Sequence, residues 1–171
     1  MQTALMWAAF GTGFTFLMTT IGAASVFLFQ KRNSRVLQRI FMGFAAGVMI
    51  AASVWSLLIP AIERAEEAGQ IGWIPAAGGF VLGVVFLLVL HQLIPHIHPE
   101  EDTPEGLPSK WDRPTLLFTA VTLHNIPEGM SVGLLFAIAF QGAGDPVMFG
   151  MATALALGIG IQNIPEGAAV S

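Results

Sequence analysis

Long apolar runs constrain this chain more than any other feature. Five stretches, residues 4–29, 40–62, 71–95, 114–140 and 149–171, contain no Lys or Arg. Each reaches the length of about 20 residues that a helix needs to cross a bilayer core. In hydrocarbon every backbone N–H and C=O must be satisfied within its own segment, which makes these runs helices. A membrane-spanning strand would be shorter and would alternate apolar with polar residues, and these runs do neither. The expected fold is all-α: a polytopic transmembrane helix bundle, one transmembrane domain over residues 1–171, with a loop at 96–113.

The charges support this by their position. Only 11% of residues are charged, against about 25% in soluble domains. Nearly all fall in three polar segments around Lys31–Arg39, Glu63–Glu67 and Glu100–Arg113, with Asp145 apart. A net charge of −4 without a basic face excludes a nucleic-acid partner of the phosphate-holding kind. Zero cysteines exclude a disulfide framework and a thiolate zinc site. The first thirty residues lack the basic flank and cleavage signal of a removable leader. Lys31, Arg32, Arg35 and Arg39 sit in a connection with no acid, which assigns it to the cytoplasm. The N-terminus and residues 63–70 and 141–145 are then outside, and 96–113 is inside.

Two acids remain, and both lie in apolar runs. His124-Asn125-Ile126-Pro127-Glu128-Gly129-Met130-Ser131-Val132 recurs 38 residues later as Gln162-Asn163-Ile164-Pro165-Glu166-Gly167-Ala168-Ala169-Val170. Six of nine positions match, five of them consecutive, which points to a duplicated element. Residues four apart share a helix face, so His124 lies above Glu128 and Gln162 above Glu166. Consecutive spans run antiparallel, so the repeat is inverted, with a pseudo-two-fold axis in the membrane plane. Pro127 and Pro165 release the carbonyls of Leu123 and Ile161, which is tolerated at this depth only against protein or in a wet cavity.

Each ionised acid at the bilayer centre costs at least about 2.5–3.5 kcal/mol. No Lys or Arg lies in any span to offset it. Two glutamates with a neutral imidazole match a dication, and mixed imidazole, carboxylate and amide donors suit zinc, iron, manganese or cobalt better than alkali ions. Met49 in the second span offers a thioether that would favour softer ions such as cadmium. The pairs Gly43/Gly47, Gly79/Gly83 and Gly129/Gly133 are expected close-packing positions between helices.

At these residues the sequence resembles the ZIP family (Zrt-, Irt-like proteins) of divalent metal transporters, in its bacterial GufA-like branch. His124-Asn125-x-Pro127-Glu128-Gly129 is similar to the family's fourth-helix signature, and Asn163-x-Pro165-Glu166-Gly167 to its fifth. The resemblance implies eight helices, of which five are present, the chain stopping after the fifth-helix motif. It also implies a binuclear metal centre. One site would use His124, Glu128, Gln162 and Glu166, with Met49; its neighbour would share the two glutamates and add Asn125 and Asn163. Many members have His where Gln162 stands, which bears on ion selectivity. The implied substrate is Zn2+, with Cd2+, Fe2+ and Mn2+ as further candidates. The implied setting is a lipid bilayer, the bacterial inner membrane, and a homodimer is compatible with it. His96 and His98 occupy the place of the family's histidine-bearing cytoplasmic loop and are candidates for metal exit; Ser56 resembles an entrance residue. His91 faces either the pathway or a neighbour.

Two rival functions are weighed against transport. An intramembrane metalloprotease would carry His-Glu-x-x-His on one helix, and the sequence has no such run. A membrane subunit without a site leaves the duplicated glutamates unexplained. The reading is therefore a non-enzyme. Thr103-Pro104-Glu105-Gly106 repeats Pro-Glu-Gly in a polar loop, without the preceding Asn, and reads as a turn.

Overall fold

The structure is a computed structural model that describes residues 2–25, 35–98, 101–140 and 144–170. Lys31 and Arg32 of the expected cytoplasmic turn, Glu100 of the next loop, residues 141–143 of the expected outer turn and the terminal Ser171 lie outside the described residues. The helices are α1 (Gln2–Ala24), α2 (Arg35–Ala52), α3 (Ile59–Glu67), α4 (Trp73–Leu93), α5 (Arg113–Ala139) and α6 (Pro146–Val170). A π-helical segment, Ser53–Leu58, joins α2 to α3. Among the described residues there is no strand, only an isolated antiparallel bridge between His96 and Glu105.

Four helical stretches are long and apolar enough to cross a membrane: Gln2–Ala24, Arg39–Glu67, Trp73–Leu93 and Pro146–Ala168. The sequence suggested five. The helix left out is α5, which is long enough at 27 residues. Thr115, Thr119, Thr122, His124, Asn125, Glu128 and Ser131 dilute its apolar content. The chain is an all-α, multi-pass membrane protein. Its surface agrees: on α4, Phe80 is 58% and Leu82 70% exposed, a cost that only lipid removes. Of the largest fully buried side chains among the described residues, His96, Gln162 and Asn163 are polar and Val132 is apolar.

The chain forms two compact units, residues 1–56 with 127–171, and residues 57–126. In the first, α1 packs on α6. The hydroxyls of α1 do not need a partner elsewhere. Thr12 donates to Ala8 O (2.8 Å), Thr15 to Thr12 O (2.9 Å) and Thr20 to Phe16 O (2.9 Å). Such back-bonding lets a threonine stay in a lipid-exposed helix. Asp145 caps α6 by accepting from Val147 N (2.9 Å) and Met148 N (3.2 Å), with Pro146 at the first helical position. Trp7 of α1 stacks on Phe136 and meets Phe149 edge-on, at centroid distances of 6.1 and 4.9 Å. The chain remains helical through both Pro127 and Pro165.

In the second unit α3 ends in a Schellman turn. Gly69, at φ +73°, donates to Glu66 O, and Gln70 donates to Ala65 O, both at 2.9 Å. After α4 the backbone turns extended at Ile94, ahead of Pro95. Ile97 is buried, and its N–H reaches Leu116 O of α5 at 3.4 Å. Successive side chains of extended backbone alternate, so His96 and His98 lie on the side opposite Ile97, and His96 is buried as well. His96 N donates to Glu105 O (3.1 Å) and Glu105 N to His96 O (2.8 Å). Gly106 makes this possible: it sits at φ +83°, and a Cβ there would overlap the Ile94 carbonyl.

Among the described residues, the expected glycine pairs are not where helices approach most closely. A Cβ at Gly43, Gly47, Gly79, Gly83 or Gly133 would meet nothing, and at Gly129 only the Thr12 methyl, at 3.9 Å. Close approach falls on other glycines. A Cβ at Gly22 would overlap the Ile164 carbonyl, and one at Gly167 the Thr19 carbonyl. A carbonyl fixed in a helix cannot rotate away, so Gly22→Ala should cost about 1–3 kcal/mol of overpacking. Gly43→Ala should be neutral or better. Thermal unfolding in detergent, followed by helical circular dichroism, checks the difference. Equal midpoints for the two variants would contradict the α1–α6 contact.

Candidate metal centre

Two polar clusters stand inside this apolar frame, one in each unit. The first is built by α5 and α6. Glu128 and Glu166 are half-buried, while Gln162 is 1% and Asn163 0% exposed. Gln162 Nε2 donates to Glu128 Oε1 at 2.7 Å. Asn163 Nδ2 donates to Thr15 O of α1 at 3.4 Å, and its amide also bonds the Glu128 carboxylate. Glu166 is near enough to act on Glu128 by charge. Ser131 donates to the Glu128 backbone carbonyl at 2.7 Å. Gln162 Oε1 is buried with no hydrogen-bond partner.

That last atom matters chemically. A buried acceptor left without a donor costs about 1–3 kcal/mol. A cation beside it and the two carboxylates would remove that cost and their mutual repulsion together. Carboxylate and amide oxygens on two facing helices form a donor set for a divalent ion. Thr15, through its main chain, is the member that sequence reasoning missed; no motif marks a backbone carbonyl.

The second cluster lies wholly within residues 57–126. One ring nitrogen each from His91, His96 and His98 fall within 4.8 Å of one another. The His91 ring lies 4.7 Å from His96 and 6.2 Å from His98, centroid to centroid. His124 borders the cluster, 6.1 Å from His91 and 6.0 Å from His98. His91 Nδ1 bonds Leu87 O at 3.1 Å, and His96 Nδ1 bonds Ile94 O at 2.8 Å. The sequence left the direction of His91 open; the structure turns it toward the loop histidines. Glu105, read from sequence only as part of a turn, has its Oε2 3.5 Å from His96 Nε2. Its signal was the His-x-His run followed by a glycine able to take positive φ.

The other sequence candidates are distributed as follows. Asn125 donates from Nδ2 to Val121 O, one turn back, at 2.9 Å. Met49 is 43% exposed on α2. Its neighbour Val48 stands where a Cβ on Gly158 of α6 would come within 3.3 Å. Ser56 is buried in the π-helical segment.

The described residues thus combine apolar spans with one cluster of amide and carboxylate groups and one of imidazoles. No family model matches the chain. It is 34% identical to zinc transporter ZIP11 of Homo sapiens, over 75% of this chain and 60% of that protein. It is 38% identical to zinc transporter GufA of Myxococcus xanthus, over 84% of this chain and 54% of that protein. Zinc transporter ZupT of Salmonella arizonae is 34% identical over 66% of this chain and 44% of its own length. The chain therefore belongs to the ZIP family, and it spans about half the length of these curated relatives.

Replacing Gln162 by Leu keeps the volume and removes both the donor to Glu128 and the orphaned oxygen. Zinc affinity at the glutamate pair should fall about 10–100-fold, the range for losing a group that orients a ligand, with helicity unchanged. Calorimetric titration of the purified chain tests this, and unchanged affinity would exclude Gln162 from the centre.

Proposed function

We propose that the protein carries divalent transition metal, zinc first, from outside the cell into the cytoplasm across the bacterial inner membrane. Cadmium, iron and manganese are further substrates by donor chemistry. The N-terminus is outside, and the spans form a single transmembrane domain with the 96–113 loop in the cytoplasm. The observation that supports this most is the Gln162–Glu128 contact, which gathers the two copies of the duplicated Asn-Ile-Pro-Glu-Gly motif. The names of its relatives, all zinc transporters, point the same way.

In this reading one ion is held by His124, Glu128, Gln162 and Glu166, with Met49 completing the set. A second shares the glutamates and adds Asn125 and Asn163. Ser56 lies on the entry route. His96 and His98 receive the metal on the cytoplasmic side, with His91 beside them. Inverted repeats suit alternating access around a fixed midplane site. Carboxamide in place of the imidazole that many members have at Gln162 makes the centre harder, in the sense of favouring oxygen-loving ions.

Uptake by the full-length protein in sealed vesicles is the decisive measurement. Zinc flux should be lost in both His124→Ala and Glu166→Ala. Unchanged flux in both variants would sink the transporter reading, and metal-dependent cleavage of a peptide substrate would favour the intramembrane protease. Gln162→His should tighten zinc binding relative to manganese; an unaltered ratio would remove residue 162 from selectivity.

A further inference from the structure

The chain passes between the two compact units twice, once between Ser56 and Leu57 and once between Ile126 and Pro127. Neither crossing is a loop. The first lies in the continuous helical run of residues 35–67, and the second lies inside α5. A regular helix is stiff because each N–H bonds the carbonyl four residues back. Both crossings fall where that ladder is broken.

At the first, Pro60 has no N–H to offer the Ser56 carbonyl. The backbone there is π-helical over Ser53–Leu58, the pattern in which a carbonyl bonds the N–H five residues on. At the second, Pro127 denies a donor to the Leu123 carbonyl. Residues 56–60 therefore bracket one crossing and residues 123–127 the other. Prolines and π-helical segments are the places where helices bend.

A third proline shows what a closed break looks like. Pro165 interrupts α6 in the same way, but it lies inside one unit. There α1 clasps the chain on both sides of the break. A Cβ at Gly22 would overlap the Ile164 carbonyl, and one at Gly167 the Thr19 carbonyl. The corresponding glycine of α5, Gly129, has open space: a Cβ there would meet only the Thr12 methyl, at 3.9 Å. The same Pro-Glu-Gly is thus pinned in α6 and left loose in α5.

The two polar clusters also respect the crossings. The Gln162–Glu128 and Asn163–Thr15 bonds lie in the first unit. The gathered ring nitrogens of His91, His96 and His98 lie in the second. Bending at the crossings breaks none of these contacts.

We propose that residues 53–60 and 123–127 are a matched pair of hinges about which the two units move, each with its polar cluster intact, while Pro165 is locked. Both hinges are needed, since an unbroken helix at either crossing would resist bending at the other. Nothing in the motion requires a bound ion.

The chain has no cysteine, so introduced pairs can be spin-labelled on an otherwise unaltered background. Ile40→Cys with Ile71→Cys spans the first crossing, and Phe118→Cys with Leu134→Cys the second; all four positions are exposed. Leu5→Cys with Val147→Cys, exposed and both in the first unit, is the control. Pulsed electron spin resonance on the chain in liposomes reads the distance distributions. Each spanning pair should be about twice as broad as the control or broader, as hinge motion requires. Pro60→Ala with Pro127→Ala restores both donors and should narrow the spanning pairs to the control width. Pro165→Ala should leave all three pairs unchanged. Helical circular dichroism verifies that each variant folds, and the comparison of widths without proline substitution decides the matter if the double variant does not. Spanning pairs as narrow as the control would overturn the proposal. So would widths that the folded double variant fails to reduce, or an equal narrowing in Pro165→Ala.

Discussion

A carboxylate in hydrocarbon must be met by something, and this structure is organised around meeting two of them. Glu128 is reached by the Gln162 amide at 2.7 Å. That single bond links α5 to α6 at the level of the duplicated motif. It also sets what else must be true. Gln162 is enclosed, at 1% exposure. Asn163, next in sequence, is carried inward with it and finds the Thr15 carbonyl of α1. The first unit thus encloses two amides, Gln162 and Asn163, among buried apolar residues such as Val132, Leu135 and Leu155.

The second unit solves a different problem by the same principle. Its histidines come from three places: the end of α4, an extended segment and α5, whose His124 opens the first copy of the motif. Backbone geometry brings them together. Alternation along the extended segment places His96 and His98 on the side opposite Ile97, and His96 is as buried as Ile97. The ring tautomers are then fixed by carbonyls one helical turn or two residues away.

How much of this was legible depends on the distance over which the information acts. Helix number and class were readable because hydropathy is a property of contiguous residues. The Glu128 and Glu166 motif was readable because duplication leaves a pattern. The failure of α5 to qualify as an apolar span was also present in the sequence, as the polar residues that the site requires. The closest glycine contacts were not legible. Small-xxx-small spacing says that a face is smooth but not that another helix covers it, and Gly22 and Gly167 belong to no such pair that the sequence singled out. The direction of His91 stayed open and Glu105 was read only as part of a turn, because a β-bridge and a positive φ place Glu105 opposite His96, and neither is visible before the loop is folded.

The contact of Gly22 with Ile164 and of Gly167 with Thr19 joins helices from opposite ends of the chain. Some 145 residues separate the two glycines. At about 5–20 residues per second of synthesis, α1 waits roughly 7–30 s in the bilayer before its partner exists. During that interval it must be stable as a lone helix. The threonines bonded to their own backbone keep their hydroxyls satisfied in that interval, while the glycines keep a smooth face for a partner made later. The order of synthesis therefore leaves the close contacts of α1 to be made only once α6 exists.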